Sequence, residues 1–248
     1  MKRIKRIVKN WAERLFGVSI YRVLPRGIDP FYDLQRKLPW WKPDIIFDVG
    51  ANTGQSVRKY AQKFPNSRIW SFEPCKDTYE KLRQNVAHFP NVECVRLALA
   101  SAPGQRVLRY GQDSSLHTLR DGQTPGQEPD NGGHELVEVQ TVDQFCRTSR
   151  IERISYLKID TEGSDLEVLQ GSEGFLGDHK VEVIETELGF CPDNDVHVPF
   201  QKVRDFLEHR SYFIFGFYEQ TYEWKFRKAH LRRSNVVFIS QDLDPLRT

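Results

Sequence analysis

Three groups of residues have the types and spacing of a ligand site. Phe47-Asp48-Val49 is an apolar run interrupted by an acid, and Gly50-Ala51-Asn52-Thr53-Gly54 follows it as a turn bounded by glycines. Glycine lets backbone approach a ligand closely, and the helix that starts after the turn offers N–H groups without internal partners. Glu73 closes the next apolar run, in Ser71-Phe72-Glu73-Pro74. A carboxylate at the end of a second strand can accept both hydroxyls of a ribose. The third group is Asp160 and Glu162, in Lys158-Ile159-Asp160-Thr161-Glu162-Gly163. Acids at the end of a central strand suit orientation of an acceptor hydroxyl and removal of its proton. They equally suit hydrogen bonding to the turn at Gly163, and the spacing leaves both roles open.

The turn also discriminates among nucleoside ligands. It reads G-A-N-T-G rather than G-x-G-x-x-G, with Asn52 at the middle glycine position and Gln55 after Gly54. The glycine that allows close helix–strand packing in dinucleotide sites is missing. A pyrophosphate is therefore served less well than a sulfonium carrying an amino-acid tail. A nicotinamide-dependent sugar oxidoreductase and a non-catalytic cofactor-binding module stand as the alternatives.

The elements that must position these residues alternate. Ile45–Val49 reads as a buried strand, followed by a helix with Val57, Tyr60, Ala61 and Phe64 at core spacing. Arg68–Phe72 is a strand, Tyr79, Leu82 and Val86 mark a helix, and Val92–Leu97 is a third strand. Strand and helix in turn imply a parallel sheet with right-handed crossovers. Residues 104–142 break the rhythm as a β-hairpin insertion, with strands at Val107–Tyr110 and Leu136–Val142 around a glycine-rich loop, Gly111 to Glu135. A long loop of this kind in a compact domain suits a cover over the site. Beyond it come a strand at Tyr156–Asp160, a helix with a Ser164/Glu167 capping box, a strand at Val181–Glu185 and a helix around Val203, Phe206 and Leu207. Tyr212–Tyr218 and Asn235–Ser240 have no helix between them and predict an antiparallel closing pair. Phe213, Phe215, Phe217 and Tyr218 read as sheet core. The fold class is thus α/β: a doubly wound, mostly parallel seven-stranded sheet with an antiparallel last strand, residues 43–248, behind an N-terminal helical appendage, residues 1–42.

Bulk properties narrow the function. Hydrophobic residues make up 39% and charged residues 28%, an ordinary globular balance, and 36 basic against 34 acidic residues leave a net charge of +2. That balance lacks the basic excess of a nucleic-acid binder. The four cysteines form no CxxC pair and read as small buried hydrophobes in a reducing cytoplasm. No run approaches the ~18 apolar residues of a membrane span. Residues 2–16 place Ile4, Ile7, Val8, Trp11, Leu15 and Phe16 on one helical face among Lys and Arg. That stripe fits packing on the main domain, or peripheral contact with the inner membrane surface. The seven histidines show no ligand spacing, and His117 is the best placed of them. Asp160, Glu162 and Glu185 have the chemistry of hard oxygen ligands, but nothing in the sequence demands a metal.

In these motifs the chain resembles the FkbM family of S-adenosylmethionine-dependent methyltransferases. The matching pieces are Asp48 to Gln55, Phe72-Glu73-Pro74, Ala98, Thr141-Val142-Asp143, Leu157 to Gly163, Leu166 to Gly171, and Ile184-Glu185-Thr186. The resemblance implies S-adenosyl-L-methionine as cofactor, held by Asp48, Gly50, Ala51, Asn52, Thr53 and Gly54 around the methionine moiety, Glu73 with Pro74 at the ribose, and Ala98 near the adenine. It also implies O-methylation of a sugar, glycan or glycosylated metabolite. Asp160 and Glu162 are then the candidate catalytic residues, and Ser115, His117 and Glu185 the candidate acceptor contacts. The acceptor's identity and the oligomeric state are not legible.

Overall fold

In a computed structural model, the structure describes residues 23–109, 118–120, 134–194, 196–222 and 229–243, together with Leu15, Gly17 and Tyr21. Among the described residues, eleven strands form two sheets. Strands β1 (Ile45–Val49), β2 (Arg68–Phe72), β3 (Val92–Val95), β8 (Ile154–Ile159), β9 (Val181–Gly189), β10 (Tyr212–Tyr222) and β11 (Leu231–Ser240) make a seven-stranded sheet in the order β10-β11-β9-β8-β1-β2-β3. Its pairs are parallel from β3 to β9, and β11 runs antiparallel to both β9 and β10. This is the expected doubly wound sheet with its antiparallel closing pair.

Alternation along each central strand divides the core in two. Ile46, Tyr156 and Val183 belong to one buried cluster, and their neighbours Phe47, Leu157 and Ile184 to the other. Successive strand side chains point to opposite faces, so both faces of the sheet are covered. Helix α1 (Pro30–Lys37), capped by Asp29, sinks Phe31 and Leu34 into the first cluster together with Leu38 and Trp41. Helices α2 (Gln55–Lys63) and α3 (Lys76–Val86) follow β1 and β2. Tyr218 is fully buried, whereas Phe213 is exposed on the edge strand and leaves the predicted aromatic core.

The predicted hairpin insertion is a sheet of its own. Strands β4 (Ala98–Leu99), β5 (Gly104–Arg109), β6 (Thr118–Arg120) and β7 (His134–Gln140) pair in the order β4-β7-β5-β6. Several local expectations change here. The third strand ends at Val95 rather than Leu97, and Ala98 and Leu99 beyond it pair with β7. The stretch expected to lack structure contains β6, paired antiparallel with Val107–Arg109. Val142 opens helix α4 (Val142–Thr148) instead of ending a strand, because the Thr141 side chain caps it by accepting from the Gln144 N–H. Helices α5 (Asp165–Gln170), α6 (Glu173–Gly177) and α7 (Phe200–Glu208) complete the chain order. The Ser164/Glu167 capping box does not form. Ser164 makes no side-chain cap bond, and Glu167 pairs with Arg106 of β5. Among the described residues, no helix is long and apolar enough to cross a membrane. The amphipathic stripe of residues 2–16 lies almost wholly outside the described residues, as do Ser115 and His117.

Candidate active site

The carboxyl ends of the parallel strands open onto a cleft of about 900 Å³. Such ends are where open α/β sheets take ligands. Gly50, Ala51, Asn52, Glu73, Pro74 and Ala98 line one side of it, and Asp160, Glu162 and Glu185 line the other. Nine of the residues predicted for the site are thereby brought to one cavity.

The glycine turn is held by its own backbone. The N–H groups of Gly50 and Ala51 both donate to the Phe72 carbonyl, at 3.0 and 2.9 Å, and Gly54 N–H donates to Ala51. Gly50 has φ +80°, and a Cβ there would sit 2.0 Å from the Asp160 carbonyl oxygen. Its missing side chain thus makes room for the end of β8, not only for a ligand. Gly54, with φ +88°, faces Leu82 of α3, and it starts α2 rather than lining the cleft. Asp48 and Thr53 also lie off the cleft wall.

Glu73 is 6% exposed, and each of its oxygens accepts a backbone N–H, from Asn52 at 3.0 Å and from Cys75 at 2.9 Å. Burial pushes its carboxyl up to about 7, against the pull of those two N–H groups. Glu73 therefore ties the glycine turn to the end of β2 while facing the cavity.

Opposite, the charges are dense. Asp48 is fully buried with no hydrogen bond to either carboxylate oxygen, and Lys158 Nζ lies 3.6 Å from one of them. The same ammonium donates to Asp160 at 3.0 Å. Burial draws the Lys158 pKa down, but Asp160 and Asp48 outweigh it and hold it well above its ordinary value. Burial raises Asp160, and Lys158 reverses this, leaving its carboxyl below the usual range. Glu162 is pushed up to about 7, first by burial and then by Asp160. Glu185 accepts from the Tyr156 hydroxyl and, at 3.1 Å, from Asn235.

Sequence reasoning missed four members of this wall as functional groups: Lys158, Glu187, His197 and Arg233. His197 Nε2 lies 2.8 Å from Glu187 and 3.8 Å from Glu162, and Arg233 pairs with the other oxygen of Glu187. Glu187 did carry a signal, since it follows Glu185 by two positions on β9 and so shares its face.

A cleft at the carboxyl ends of a sheet of this order, with a glycine turn and a strand-end carboxylate, is the arrangement in which α/β proteins hold nucleoside cofactors. The chain belongs to the FkbM methyltransferase family: the family described as Methyltransferase FkbM domain matches residues 48–214, more than half of its length. It is 27% identical over 157 residues to the hexuronic acid methyltransferase AglP of Haloferax volcanii, covering 60% of this chain and 58% of that protein. It is 22% identical over 177 residues to the 2-O-methyltransferase NoeI of Sinorhizobium fredii, covering 67% and 72%. It is also 27% identical over 155 residues to the 31-O-demethyl-FK506 methyltransferase FkbM of Streptomyces tacrolimicus, covering 52% and 60%. The match thus spans less than two thirds of the first and third relatives. Family membership removes the nicotinamide oxidoreductase alternative.

Proposed function

We propose that the protein methylates a hydroxyl of a sugar, glycan or glycosylated metabolite. The cofactor then lies against β1, β2 and β4, and the acceptor against β8, β9 and β11. The observation that carries this reading is one cleft with a nucleoside-type grip on one wall and a cluster of ionisable groups on the other.

The residues present fit the cofactor. Glu73 faces the cavity with a second lone pair on each oxygen, suited to the two ribose hydroxyls. Buried Leu97, Ala98 and Leu99 offer an apolar wall for a flat base. Carboxylates outnumber cations around the cleft, and the unbonded oxygens of Asp48 lie behind the turn. That is the sign a sulfonium and an ammonium require. The cleft volume accommodates a nucleoside together with an acceptor. When bound, the cofactor supplies an electrophilic methyl group on sulfur.

The chain's own residues then have two tasks, to align the acceptor and to receive its proton. Alignment of the acceptor oxygen is the first, and fixed geometry can contribute on the order of 7–11 kcal/mol. Asp160, kept ionised by Lys158, orients the acceptor hydroxyl by accepting its hydrogen bond. The hydroxyl proton leaves through that same hydrogen bond to Asp160, and Glu162 lines the wall beside it. Ser115 and His117 remain proposed acceptor contacts. The hexuronic acid and 2-O specificities in the names of two relatives support a carbohydrate hydroxyl as the target.

The test is methyl transfer from labelled S-adenosylmethionine to a panel of monosaccharides, uronic acids and glycolipid extracts, read by mass spectrometry. The expected product gains one methyl group on oxygen. Methylation of nitrogen alone, or no saturable binding of S-adenosylhomocysteine by the purified chain, overturns the reading.

A further inference from the structure

We infer that Glu162, Glu187 and His197 form a divalent metal site on the acceptor side of the cleft. The inference rests on the methyl-transfer reading above, and it gives that wall a ligand of its own.

The first argument is the proton on the imidazole. Asn194 Oδ1 accepts the backbone N–H groups of Val196 and His197, each at 3.2 Å, while its amide nitrogen donates to the Arg232 carbonyl at 3.2 Å. These contacts fix which end of the amide is oxygen. His197 Nδ1, 3.1 Å from that oxygen, must therefore be the N–H donor. The neutral ring then presents a lone pair at Nε2, directed at Glu187 Oε2 2.8 Å away and Glu162 Oε2 3.8 Å away. With the ring neutral, three acceptor atoms face one another and need a shared proton or a metal ion between them, and a metal ion satisfies all three at once. A metal-ligating histidine usually donates its other ring N–H to an oxygen acceptor that fixes its orientation, the part Asn194 Oδ1 takes for His197.

The second argument is distance. Ligand atoms about 2.0–2.2 Å from a cation stand roughly 3–4 Å from one another. The three atoms here all lie within 4.8 Å of one another, before any adjustment to an ion. Arg233 occupies Glu187 Oε1 and leaves Oε2 turned toward His197.

The third argument is the scaffold that brings distant residues together. Glu162 has φ +49°, and Gly163, with φ +108°, packs so closely on the segment carrying His197 that a Cβ would lie 2.7 Å from the Val196 carbonyl oxygen. Asp165 ties the same turn to β9, accepting from Thr161 at 2.9 Å and from Thr186 at 2.8 Å. Gly189 leaves space beside the Asn194 amide, where a Cβ would come within 3.0 Å. One imidazole and two carboxylates suit Mn²⁺ or Zn²⁺ better than Mg²⁺, which prefers oxygen alone. Three protein ligands leave coordination positions open toward the cleft, for neighbouring oxygens of a carbohydrate acceptor.

The test uses the full chain, dialysed against a chelator and titrated with Mn²⁺ while electron paramagnetic resonance follows the free ion. One ion per chain is expected, with affinity weakened about tenfold or more in His197→Ala and in Glu187→Gln. A Zn²⁺ titration should also move the ¹⁵N resonance of His197 Nε2. Failure of the wild-type chain to bind either ion saturably overturns the site, as does binding that leaves that resonance unmoved. S-adenosylhomocysteine affinity is measured on the same samples. If it persists without metal binding, the site falls and the methyltransferase reading stands; if it is absent from the wild-type chain, the reading itself falls.

Discussion

The two walls of the cleft are built from different materials. On the side proposed for the cofactor, a five-residue turn is braced by backbone groups together with the Glu73 carboxylate and the Asn85 amide, which donates to the Thr53 carbonyl. On the side proposed for the acceptor the work falls to side chains drawn from β8, β9, β11 and the segment after β9. A backbone-built wall tolerates few substitutions and is shared readily among proteins using one cofactor. A wall of side chains can be rebuilt residue by residue for a new acceptor.

Substitutions can break or sharpen that contrast. The largest effect is expected at the joint between the walls. Gly50→Ala places a methyl group 2.0 Å from the Asp160 carbonyl in a left-handed backbone conformation, and it should cost about 3–5 kcal/mol of stability in urea denaturation. Full stability in that variant would mean the two walls are not locked together. Next, Asp160→Asn should lower kcat by roughly 10²-fold or more, leaving S-adenosylhomocysteine affinity nearly unchanged in calorimetry. Parallel loss of both would make Asp160 a structural residue. Glu73→Ala should do the reverse, weakening that affinity by about tenfold, or 1.4 kcal/mol.

The smallest effect is a pH dependence. The raised Glu73 carboxyl titrates at about 7, and only its ionised form offers acceptors to both ribose hydroxyls. Affinity should therefore hold above that value and weaken as pH falls through it, while Glu73→Gln is weaker throughout and flatter. An identical pH profile in the two proteins would place the titration elsewhere.

The same contrast explains how far the sequence could be read. Apolar runs and helical spacing announce β1, β2, β8 and the helices between them, because both faces of the sheet are buried. The turn side of the cleft was legible because its parts are short and local, Gly50-Ala51-Asn52 and then Glu73 at the end of the next strand. His197 was not, since nothing local distinguishes it from six other histidines. Its place depends on the contact of Gly163 with Val196 and on the Asn194 side chain. Short-range rules also failed where tertiary partners competed: Glu167 turned to Arg106 instead of its own helix start. The start of α4 was readable after all, from Thr141 at the cap.

Ala98 and Leu99 line the cavity, yet they belong to the smaller sheet, as does Leu108. That sheet behaves as an interchangeable fitting. Changes along the stretch from Ala98 to Leu108 can reshape that part of the cavity wall while β1, β2 and β8 keep every neighbour they have. Diversity of acceptors among related proteins should accordingly collect in this stretch, and engineering of selectivity is best begun there.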